Sequence, residues 1–148
     1  MASPETFSAF KGVLDAWAAI PGNLPVVFEN EPAQVLTEGN LPFVYVEIYG
    51  EGYSQESMGS PGSNLWTEYG TTWMHVMTKS LMGSSEGRVW AKTLIDLFRE
   101  KPILVDNVTG ERLFMPEMSI GAGDPGRDFP NYFSITATIQ WHRRDYNT

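Results

Sequence analysis

The stretch from Leu65 to Phe98 constrains the fold more than any other, because its apolar period changes partway along. From Leu65 to Met77 it is rich in aromatic and β-branched residues, Trp66, Thr67, Tyr69, Thr71, Thr72, Trp73 and Val76 among them. Such residues suit a pleated, half-buried surface, which predicts a strand. Gly83-Ser84-Ser85-Glu86-Gly87 predicts a turn. From Arg88 to Phe98 the apolar spacing becomes roughly 3.6 residues, which predicts a helix. Trp90, Leu94, Leu97 and Phe98 then form a stripe wide enough to bury against a sheet.

The rest of the chain is read around this strand–turn–helix unit. Ser3-Pro4-Glu5 is a helix start, with an N-cap, a proline at the first helical position and an acid in the first turn. Phe7, Phe10, Leu14 and Trp17 give that helix one apolar face, and Pro21-Gly22 ends it. Pro25 to Glu29 predicts a short strand. Phe43 to Tyr49 alternates, with Val44, Val46 and Ile48 on one face and Phe43, Tyr45, Glu47 and Tyr49 on the other. The glycine- and serine-rich run Gly50 to Ser63 predicts a long hairpin loop with a projecting tip. Pro102 stops the second helix, and Arg99 and Lys101 complement its C-terminal dipole.

Ile103-Leu104-Val105 predicts a short edge strand and Asn107 to Gly110 a turn. Arg112 to Ile120 predicts a strand that Pro116 confines to an edge or a bulge. Gly121 to Pro130 is a second long loop. The last strand, Asn131 to Arg143, alternates with Phe133, Ile135, Ala137, Ile139 and Trp141 inward, and Tyr132, Ser134, Thr136, Thr138, Gln140 and His142 outward. No internal repeat or boundary divides residues 1–148. The expectation is one α+β domain, a mostly antiparallel sheet with two α-helices packed on it and long hairpin loops.

Charge limits the function more than composition does. From Gly12 to Thr78 there is no Lys or Arg, against eight acids; from Lys79 onward nine basic and nine acidic residues cancel. Nothing gathers cations into a phosphate-binding patch, so tight nucleic-acid binding is not expected. The acidic half reads as solubilising or, more sharply, as a surface past which DNA slides. The chain has no cysteine, which rules out a disulfide scaffold and thiolate metal sites. It lacks a basic leader with an apolar core, and no apolar run approaches the roughly 18 residues that cross a membrane. The expected location is a cytosol-like compartment or a particle assembled there.

Two motifs invite a catalytic reading and lack its context. Gly83 to Gly87 matches G-x-S-x-G, with Ser85 as nucleophile and Asp106, Asp124 or Asp128 and His142 following in order. A nucleophile elbow follows its strand directly, whereas Lys79 to Met82 intervene here, and no glycine-rich oxyanion loop precedes it. Ser85 as a helix N-cap explains the same residues. Gly121-Ala122-Gly123-Asp124-Pro125-Gly126 matches G-x-G-x-x-G, but Pro125, Pro130 and a strand follow where a phosphate-binding helix is needed. His75 and His142 lie on separate strands without ligand spacing, so neither metal nor cofactor is expected. Asn107-Val108-Thr109 is a glycosylation sequon only for a secreted chain.

The order of elements resembles that of bacteriophage tail terminator proteins. It runs from an N-terminal helix to Pro25-Val26-Val27-Phe28-Glu29-Asn30, to Trp73-Met74-His75-Val76 and its helix, and closes on Ile139-Gln140-Trp141. The resemblance implies a hexameric ring in the tail-neck region of a virion assembled in a bacterial host. Such a ring caps the tail tube protein, stops its polymerisation and meets the head-tail connector or neck, while DNA passes through the lumen unbound. Another neck or tail-completion component shares that outline; the competing class is a cytosolic binding module or a hydrolase built on Ser85. Within a ring, Glu51, Tyr53 and Glu56 of the first glycine-rich loop and Asp124, Arg127 and Asp128 of the second become candidate interface residues. Arg88, Lys92, Arg143 and Arg144, with Arg99, are then expected to pair with the acidic half of the next subunit.

Overall fold

The computed structural model describes residues 3–32, 34–39, 41–59, 64–81, 83–101, 103, 113–121, 123–125 and 131–146, with backbone only at 34, 35, 124, 125, 145 and 146. The elements run α1 (Pro4–Ala18), β1 (Val26–Phe28), α2 (Gln34–Glu38), β2 (Phe43–Gln55), β3 (Leu65–Lys79), α3 (Ser85–Phe98), β4 (Leu113–Ile120), β5 (Asp124–Pro125) and β6 (Tyr132–Tyr146). They build one sheet of order β1-β2-β3-β6-β4, with the two-residue β5 also on β6. Only β1 pairs in parallel; all other ladders are antiparallel, so the α+β architecture is as expected. β3 and β6 form its centre, in unbroken register from Leu65↔Tyr146 to Lys79↔Tyr132.

Alternation explains which face of the sheet is covered. Val44, Val46, Ile48, Met74, Val76, Ile135, Ala137, Ile139 and Trp141 project to the same side and are buried there. Helix α1 lays Phe10, Leu14 and Trp17 on them, its first turn capped by Ser3 Oγ accepting from Thr6 N. Helix α3 adds Gly87, Ala91, Leu94, Ile95 and Phe98. Each fully buried large side chain contributes about 1.5–3 kcal/mol. The indole of Trp141 is satisfied inside this layer, donating to Thr72 Oγ1 at 3.1 Å.

Several expectations need correction. α3 begins at Ser85, a turn early, and Ser84 rather than Ser85 holds the N-cap position, with no side-chain cap bond. Its buried stripe centres on Ala91 and Ile95, leaving Trp90 and Leu97 at the margins, because small residues let the helix approach the sheet. A Cβ on Gly87 would meet Ile135 Cγ1 at 3.0 Å. A third helix, α2, escapes prediction because five residues are too few to show a period. Through Leu36 it helps cover Val27, Phe43, Met77 and Tyr132. Tyr132, assigned outward by alternation, is therefore buried, as is Phe43 on the face opposite Val44, and Tyr132 Oη donates to Leu41 O at 2.7 Å.

Gly50 to Gln55 is strand, not loop. A bulge between Gly50 and Gly52 absorbs one residue and lets β2 continue, which shortens the hairpin connection to residues 56–64. Gly70 faces that bulge, and a Cβ there would strike Tyr49 O and the Trp141 ring, so only glycine permits the approach. β4 is an edge strand whose register shifts between Phe114 and Glu117, around Pro116, as its sequence requires. Ile103 is a bend instead of strand; Leu104 and Val105 lie outside the described residues.

Candidate functional site

The densest polar cluster surrounds Glu68, on the helix-facing side of β3. The residue is 1% exposed, yet its carboxylate accepts five hydrogen bonds. Ser3 N and Ser3 Oγ donate at 2.7 Å each, Tyr53 Oη at 2.8 Å, Arg143 Nη2 at 3.1 Å and Thr6 Oγ1 at 3.3 Å. Burial alone pushes the carboxyl up; the bonds from Ser3, Tyr53 and Arg143 outweigh it and hold the group below its usual value. The positive end of the α1 dipole adds to this preference for charge. Burial, together with the bond to an ionised Glu68, raises the Tyr53 phenol above its ordinary value. All five of these donors converge on the one carboxylate. It ties the start of α1 to β2, β3 and β6 where the hairpin leaves the helix-covered body.

Among the described residues, the predicted interface residues fall in several places. Tyr53 and Arg143 belong to the Glu68 cluster, and Arg144 Nε pairs with Glu56 Oε2 at 3.2 Å just beyond it. Glu51 occupies the bulge and accepts from Thr71 Oγ1 at 3.4 Å. Arg88 and Lys92 lie on the outer side of α3, where Arg88 Nε reaches Ser84 Oγ and Lys92 pairs with Asp96 at 2.7 Å. Asp124 is placed by its backbone alone, in β5 beside Ser134; Arg127 and Asp128 lie outside the described residues. Within a single chain, Arg143 and Arg144 already pair with acids of the acidic half.

Among the described residues, the sheet face away from α1 and α3 is covered only at the α2 end. Beyond it, Tyr45 stacks on His75 (6.2 Å between centroids), Tyr49 on Trp73 (6.0 Å) and Phe114 on His142 (5.2 Å). His75 bridges Glu47 Oε1 at 2.8 Å and Thr136 Oγ1 at 2.7 Å, which accounts for a nearly buried histidine on this face.

Ser85 and His142 are not brought together. Ser85 opens α3, and Gly87 two residues on lies over Ile135, whereas His142 is seven residues further along β6 and on the opposite face. That run spans roughly 24 Å at strand rise. Among the described residues no three His, Cys, Asp or Glu side chains converge as metal ligands. A cavity of about 350 Å³ lies between the end of α3 and β4, lined by Phe98, Leu113, Phe114 and Pro116. Among the described residues its polar lining is Glu100, Lys101 and His142. No helix among the described residues is long and apolar enough to cross a membrane.

Sequence reading counted Glu68 merely as one acid of the acidic half. The signal that identifies it is phase: it shares parity with Thr72, Met74 and Val76, so the strand turns it inward.

No known protein family matches this chain, and no curated protein does. Solved structures do match. One whose name states no function aligns over 100% of this chain and 99% of its own length, with TM-score 0.61 and 20% sequence identity. That likeness shows a shared fold.

Proposed function

We propose that this protein is a structural part of a long-tailed phage virion, a ring that caps the tail tube, ends its polymerisation and offers the surface that joins tail to neck. The sequence resemblance to tail terminator proteins motivates the reading. The observation that carries it is the use to which polar chemistry is put. Glu68, the buried carboxylate, is spent as an anchor at the root of a hairpin, and Arg144 is likewise held in a pair with Glu56. The surface left over among the described residues includes an open sheet face and the mostly exposed end of β2, features suited to docking on large neighbours. In a ring the acidic first half supplies repulsion toward DNA in transit.

Electron microscopy of the purified protein, alone and mixed with polymerising tube protein, tests this directly. Rings with a central hole, and tubes that stop growing with a ring at one end, are the expected result. A particle that stays monomeric by light scattering even with tube protein present, and leaves tube length unchanged, overturns it. Rings that bind neck preparations but never tube ends reassign the protein to another neck component.

A further inference from the structure

The two-layer body has two broad surfaces of different chemistry. Between the Tyr45–His75 row and the Tyr69–His142 row, the open sheet face carries Glu47, Glu51 and Glu117 and, among the described residues, no Lys or Arg. Exposed rings lie among the carboxylates, with Tyr49 50% and Tyr69 40% exposed. A hollow of about 180 Å³ indents this end of the sheet, lined in part by Glu51, Tyr69, Thr71 and Gln140. The opposite surface is the outer side of α3. There Val89, 63% exposed, lies beside Arg88 and Lys92, which are one helical turn apart.

We propose that these surfaces are the two halves of one contact between copies: α3 of one copy lies on the open sheet face of the next, with Val89 at the hollow and Arg88 and Lys92 facing Glu51 and Glu117. This rests on the ring reading above and names the surfaces that close the ring. Three features select a second copy as occupant. The charges are complementary, the exposed tyrosine rings accept cations on their faces, and the surfaces lie on opposite sides of the molecule. A contact between two unlike faces repeats from copy to copy and closes when the rotation allows, whereas a contact of one face with itself stops at two. The Lys92–Asp96 pair offers little resistance, because exposed pairs of this kind are weak.

The absence of cysteine makes a crosslinking test clean. Val89→Cys and Gln140→Cys both alter exposed positions. Combined in one chain and treated with a short bismaleimide, they yield a ladder of crosslinked copies ending at the ring, while each single variant yields none. Adding Arg88→Glu and Lys92→Glu abolishes the ladder. Crosslinked dimers from Val89→Cys alone indicate a two-fold contact and overturn the proposal. Rings seen by microscopy without a ladder overturn this interface and leave the ring reading standing. Neither rings nor ladder, or an α3 surface captured only by a different protein, overturns both.

Discussion

Glu68→Ala is the most informative substitution, because it removes the acceptor on which five donors converge. Arg143 is left charged with its side chain only 11% exposed, and Ser3, Thr6 and Tyr53 lose a shared partner. Removing one member of a buried ion pair costs about 3–5 kcal/mol, most of it the penalty of the charge left behind. For a domain of this size that lowers Tm by roughly 6–20 °C. Urea unfolding followed by tryptophan fluorescence measures the loss, and Glu68→Ala/Arg143→Ala should lose less than the sum of the single changes. The pH dependence has a definite sign. Hydrogen bonding lowers the folded-state value, so the stabilisation is fully present above the unfolded glutamate value of about 4.3 and is lost as pH falls through the folded one. The gap between wild type and Glu68→Gln should therefore be widest near neutrality and close on acidification. A loss under about 1 kcal/mol at pH 7, the range of an exposed pair, or a gap that grows toward acid, refutes the reasoning.

The remaining predictions concern the frame around that cluster. Gly70→Ala places a methyl against the Tyr49 carbonyl and the Trp141 ring, and should cost about 1–3 kcal/mol in urea unfolding; unchanged stability would mean the bulge tolerates a side chain. Tyr132→Phe removes the hydroxyl that bonds the Leu36 and Leu41 carbonyls and should cost roughly 0.5–1.5 kcal/mol, with faster amide exchange expected in α2. Ser3→Ala removes both the α1 cap and a donor to Glu68, a loss of about 0.5–2 kcal/mol for the cap alone. It should be markedly non-additive with Glu68→Ala. Lys92→Ala should leave monomer stability within about 0.5 kcal/mol by the same measurement.

What could be read from the sequence followed from whether a signal was local and periodic. β6 showed its two faces because alternation runs along its whole length, and β4 showed its edge position because Pro116 cannot donate to a central ladder. α1 was visible from cap to stop, since Ser3, Pro4 and Pro21 act locally. α2 was invisible for the opposite reason: its effect, covering Phe43 and Tyr132, is tertiary. Alternation states which side a residue faces but not whether another element lies over it. The same gap hid the end of β2, where two glycines that look like a loop are a bulge in a strand held by β3.

The Glu68 cluster combines both kinds of information. An acid in phase with buried neighbours is legible, but its partners come from residues 3, 6, 53 and 143, which only folding brings together. Charge counting along the chain misleads here for the same reason. A first half rich in acids and a second half with nearly all the cations looks like two surfaces awaiting different partners. Yet Arg143 and Arg144 return on β6 beside β3 and neutralise Glu68 and Glu56 within the same chain. The charge left for other molecules is smaller, and among the described residues it includes Glu51 on the open face and Arg88 on the outer side of α3. Any partner of this protein reads that residue of charge, so neutralising Arg144 should matter less to assembly than neutralising Arg88. Light scattering on the variants Arg144→Gln and Arg88→Gln ranks the two, and the reverse order would show that the intrachain pairs yield to contacts between molecules.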